Sequence, residues 1–75
     1  MKIWFDKDID YAELFFRSEP NYGVDLDERV TQFRSEKDDS VVGYGFFEAS
    51  KSVLESDFLS ESVKEEFKRT LRKGG

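Results

Sequence analysis

The chain has 75 residues with twelve Lys and Arg against seventeen Asp and Glu, a net charge of −5, and contains neither His nor Cys. That composition excludes a disulfide framework, a thiolate or imidazole zinc site, and catalysis by thiol or imidazole. The length allows one domain, whose core supplies only about 3–5 kcal/mol of net stability.

In chain order, a first strand is predicted over residues 2–5, where Ile3 and Phe5 alternate with Lys2 and Trp4. Asp6-Lys7-Asp8-Ile9-Asp10 follows as a tight polar turn. A second strand over 11–17 sets Ala12, Leu14 and Phe16 on one face and Tyr11, Glu13 and Phe15 on the other, completing a hairpin. Ser18-Glu19-Pro20-Asn21-Tyr22-Gly23 holds the only Pro and is the clearest breaker. Extended chain resumes at Val24-Asp25-Leu26-Asp27, and a third strand is placed over 28–35, with Val30 and Phe33 its only large apolar residues. After the turn at Glu36-Lys37-Asp38-Asp39-Ser40, a fourth strand over 41–48 puts Val42, Tyr44 and Phe46 on one face. Val41, Gly43, Gly45 and Phe47 take the other. Gly43 and Gly45 leave a shallow trough there; either a helix or a partner's ring lies across it, or the pair marks a bulge.

The period then changes. Leu59, Val63, Phe67 and Leu71 recur every four residues and predict an amphipathic helix over about 57–72. Ser62-Val63-Lys64-Glu65 has the form of a capping box, with Asp57 and Ser60 as earlier possible starts. Lys68, Arg69, Arg72 and Lys73 complement the C-terminal end of the helix dipole, and Gly74 reads as a stop. The apolar stripe packs on the sheet or docks on a second chain. The expected fold is therefore α+β, one domain over residues 1–75: a four-stranded antiparallel meander followed by one C-terminal helix.

Groups that might carry chemistry are few. Asp6, Asp8 and Asp10 match positions 1, 3 and 5 of a calcium loop, but Tyr11 stands where Gly is needed and Arg17 where the bidentate Glu is needed. Paired-carboxylate hydrolysis requires two acids in a cleft, whereas the acids here crowd into predicted turns. Glu48, at the end of the aromatic fourth strand, is the one acid singled out, and pairing with a basic side chain or bonding to backbone is its expected role. Gly43-Tyr44-Gly45 within a strand is no phosphate cradle. The basic cluster Lys68-Arg69-Thr70-Leu71-Arg72-Lys73 reads as a solvated helix end ahead of a nucleic-acid contact.

Two blocks carry a family resemblance. Phe5-Asp6 with Asp10 matches an Asp-x-x-x-Asp turn. Leu14-Phe15-Phe16 matches the strand that follows it, and Val42-Gly43 with Phe46-Phe47-Glu48-Ala49-Ser50 matches a closing Gly…Ala-Ser strand. Over residues 3–51 the chain resembles the bacterial and archaeal family called domain of unknown function 2283. It departs at Gly45, where the family has Glu, and the helical tail after Ser56 lies outside the motif. The resemblance implies a small antiparallel meander with an antitoxin-like or accessory role beside toxin-like genes, and brings no catalytic residues.

Eight Phe, three Tyr and one Trp are more rings than one thin sheet shelters, so self-association as a homodimer is expected. Through Glu55 there are thirteen acidic and seven basic side chains, net −6, and from Ser56 onward four and five, net +1. An acidic body repels phosphates and suits a basic protein partner, with solubility alone as the other reason for the charge. The expected function is a non-catalytic interaction module binding a basic, toxin-like protein, with Trp4, Phe15, Tyr44 and Phe47 as interface residues and no cofactor or metal. The alternatives are an inhibitor that mimics nucleic acid through its carboxylates and, last, a carboxylate hydrolase. With no apolar run near ~20 residues and no signal peptide, the expected location is cytoplasmic.

Overall fold

The computed structural model describes residues 1–74, and side chains as far as Arg72. Five strands, β1 (Lys2–Asp6), β2 (Tyr11–Phe15), β3 (Asn21–Asp25), β4 (Val30–Ser35) and β5 (Val41–Phe47), precede two helices, α1 (Ala49–Glu55) and α2 (Glu61–Gly74). The strands form one sheet in the order β1-β2-β5-β4-β3, with every neighbouring pair antiparallel. The β1–β2 hairpin and the β3–β4–β5 meander are thus two pieces joined by β2–β5 pairing. The α+β class and antiparallel sheet agree with expectation; four strands in a simple meander and a single helix do not.

The fifth strand comes from Asn21–Asp25, part of which reads as a breaker. Gly23 weakens it as a strand, but Gly23 is the register partner of Phe33. A Cβ there would lie 3.5 Å from the Phe33 ring, which covers the bare backbone of this edge strand. The stretch from Leu26 is turn instead of strand. Asp27 Oδ1 accepts from the Arg29 and Val30 amides at 2.7 and 3.0 Å, so the fourth strand starts at Val30.

The second helix arises for a non-local reason. Glu48, at φ 52° and ψ 47°, turns the chain out of β5 and offers α1 no side-chain cap. The cap comes from Asp10 in the β1–β2 turn: its carbonyl accepts from the Ala49 amide at 2.8 Å, and its carboxylate from the Ser50 amide at 2.9 Å and the Ser50 hydroxyl at 2.7 Å. Asp10 is itself left-handed, φ 51°, a region Asp tolerates better than most residues.

Helix α2 starts at Glu61, later than expected, with Ser60 Oγ accepting from the Val63 amide at 3.3 Å; Ser62-x-x-Glu65 is not its capping box. Gly74 is the last described residue of the helix, while the Lys73 side chain and Gly75 lie outside the described residues. The expected stripe packs within the chain. Leu59 and Phe67 are buried with Ala12, Leu14, Val30, Phe46, Ala49 and Val53, and Ile3, Phe5, Val63 and Leu71 close around them. Phe67 meets Phe5 edge-on, ring centroids 5.8 Å apart, which fixes α2 across β1. Burying a ring of this size stabilises by about 2–3 kcal/mol. Among the described residues, no helix is long and apolar enough to cross a membrane.

Candidate functional site

Both helices lie on one side of the sheet, so strand alternation assigns every second residue to the bare side. Register places Lys2, Phe15, Gly43, Phe33 and Gly23 in one row across it and Trp4, Glu13, Gly45, Thr31 and Asp25 in the next, with Asp6, Tyr11 and Phe47 beyond. Five of the twelve rings therefore face away from the core.

These rings form two groups. Trp4 meets Tyr11 edge-on at 6.1 Å, and Tyr11 leans on Phe47 at 4.8 Å. Farther along, Phe15 and Phe33 stack at 5.1 Å. Trp4 and Phe47 remain 53% and 52% exposed, too open to count as core, while Tyr11, Phe15 and Phe33 are partly buried. The glycine trough is filled from within the chain: the Phe15 ring closes over Gly43, and the Tyr11 hydroxyl and Phe33 ring over Gly45. Neither a helix nor a second molecule is needed there, because rings from the two flanking strands occupy the missing side-chain volume.

Between the groups stands Glu13. Its Oε2 accepts from the Tyr11 hydroxyl at 2.9 Å. Burial first, and then the Glu13 carboxylate, push the Tyr11 phenol up to about 12. Elsewhere, a hydrogen bond to Asp39 raises the exposed Tyr22 phenol, and bonds from Ser40 lower the Asp38 carboxyl.

Of the residues expected at an interface, Trp4, Phe15 and Phe47 share the bare face. Tyr44 does not: it lies under the helices, half-buried, with its ring 4.6 Å from Phe58 and 6.1 Å from Phe46. Strand parity separates it from Phe47, as the alternation in the fourth strand already implies. Tyr11, Glu13 and Phe33 complete the face and were not among the expected residues. Tyr11 and Glu13 share parity with Phe15 in sequence, whereas Phe33 requires knowing which strands are neighbours.

Asp6, Asp10 and Glu48 are engaged elsewhere. Asp6 Oδ1 accepts from the Asp8 amide at 3.0 Å and Asp10 caps α1, so the three Asp do not converge as a cation loop. Among the described residues, no group of three or more His, Cys, Asp or Glu is placed to hold a metal ion. Glu48 lies 3.6 Å from Arg29, which also reaches Glu55 at 3.6 Å, in an exposed network worth little to stability. Comparison with known proteins yields no match to a family model, to a curated protein or to a solved structure.

Proposed function

We propose that this chain is a non-catalytic protein-interaction module that binds a basic protein surface through its bare, ring-bearing sheet face. The observation that carries this reading is the exposure of Trp4 and Phe47, which flank Tyr11 on a five-ring face that no helix covers. Large rigid rings anchor protein contacts at low entropic cost, and contiguous apolar patches are uncommon on faces that meet only water. Charge complementarity selects the occupant: Glu13, Asp25 and Asp6 lie on this face against a single Lys2, in a chain of net charge −5. The resemblance over residues 3–51 supports an antitoxin-like or accessory setting for such binding.

The test is a photo-crosslinking residue in place of Phe47 in the native host. The expected result is one discrete adduct with a basic protein, lost in Trp4→Ser/Phe15→Ser and kept in Phe58→Ser on the opposite side. An adduct only with a second copy of the chain makes the face a homodimer interface and removes the basic partner. Absence of any adduct that depends on Trp4 and Phe15 overturns the reading.

A further inference from the structure

We infer that Glu13 and the rings around it form a receptor for one arginine side chain of the partner, a specific contact within the interaction face proposed above, on which it rests. Glu13 has rings on three sides: Tyr11 and Phe15 two residues away on its own strand, and Trp4 as its register partner on β1. On the fourth side its register partner is Gly45, over which the Tyr11 hydroxyl and the Phe33 ring lie.

The carboxylate is held but not neutralised. The Tyr11 hydroxyl occupies Oε2, and none of the four ion pairs among the described residues includes Glu13. Other acids contrast with this. Glu48 and Glu55 share Arg29, Glu65 pairs with Lys68, Glu19 with Arg17, and Asp25 accepts from the Thr31 hydroxyl at 2.9 Å. Glu13 thus combines a fixed orientation, an open acceptor oxygen and aromatic walls.

A guanidinium fits that combination better than an ammonium. Its flat, weakly hydrated face stacks on an indole or phenyl ring while its N–H groups reach a carboxylate in the same plane. Trp4, half exposed and directly across from Glu13, offers the strongest cation–π face. A neutral apolar side chain would cover the rings but leave the carboxylate without a partner, which disfavours it.

The experiment uses the full chain, with a short Arg-Gly repeat peptide and its citrulline counterpart as probes. Trp4 is the only Trp, so its fluorescence and indole N–H resonance read the site. The arginine peptide is expected to give a saturable change that weakens about tenfold in Glu13→Gln and is unaffected in Asp25→Asn. Glutamine keeps an acceptor for Tyr11, so the fold is retained. Citrulline, equal in shape and uncharged, is expected to give no saturation. An unchanged affinity in Glu13→Gln, or no saturation by the arginine peptide, overturns the inference. Equal binding of both peptides also overturns it while leaving the interaction face intact, whereas loss of the position-47 adduct with arginine binding preserved strikes the wider reading alone.

Discussion

Phe15 and Phe33 stack over a strand to which neither belongs. Their rings, from β2 and β4, meet 5.1 Å apart across the intervening β5, where Gly43 is the register partner of both. A Cβ on Gly43 would collide with the Leu14 carbonyl oxygen and lie 2.8 Å from the Phe15 ring. Backbone cannot yield as a side chain can, so Gly43→Ala is expected to destabilise by about 3 kcal/mol in urea denaturation. At Gly45 the obstacle is mainly the Tyr11 hydroxyl, 2.6 Å away and at the end of a movable side chain. Gly45→Ala is expected to cost about 1 kcal/mol. Equal costs at the two positions would contradict this packing.

The cap on α1 comes from forty residues upstream, through Asp10 and Ser50. Asp10→Ala removes the acceptor and puts Ala in a left-handed conformation it disfavours, and is expected to cost about 2 kcal/mol. Asp10→Asn keeps both an acceptor and that tolerance, and should retain most of the stability. Thermal melts of the two variants decide it; indistinguishable midpoints would remove the cap.

That cap also marks where sequence reading runs out. Alternation in the second and fourth predicted strands separates Ala12 and Leu14 from Phe15, and Phe46 from Phe47, because parity is a local property. The four-residue spacing of Leu59, Val63, Phe67 and Leu71 locates the second helix for the same reason. Helix α1 is not legible: its seven residues have no side-chain cap of their own, and the group that starts it is remote. Strand β3 is hidden because Gly23 reads as punctuation until Phe33 lies over it. Three of the four expected interface residues share one face; Phe33 joins them only through the pairing order β2-β5-β4.

Tyr11 gives the fold a dependence on alkaline pH. Its phenol, ordinarily near 10, is pushed up to about 12, chiefly by burial and then by Glu13. The folded chain retains a proton that the unfolded chain releases. The resulting stability is therefore fully present below about pH 10 and is lost as pH rises through about 12. A tyrosinate absorbance titration is expected to show a phenol near pH 12 that is absent in Tyr11→Phe. Glu13→Gln should lower it while leaving the part due to burial. All three phenols titrating at the ordinary value would contradict the geometry.

The two sides of the sheet should respond differently to ring removal. Phe67 is fully buried against Phe5, and Phe67→Ala is expected to cost about 3–5 kcal/mol. Trp4→Ser and Phe47→Ser remove half-exposed rings outside the core, and each is expected to cost about 1 kcal/mol or less. Chemical denaturation compares them directly, and losses of similar size would make the bare face structural.

Hydroxyl-radical footprinting, run on the isolated chain and on the chain inside its host cells, asks most directly whether another molecule covers this face. Trp4, Phe47 and Phe58 are all about half exposed, so all three are expected to oxidise readily in isolation. In cells, Trp4 and Phe47 are expected to be protected several-fold while Phe58, on the helix side, stays reactive. Equal oxidation of Trp4 and Phe47 in the two settings would contradict an interface on this side of the sheet.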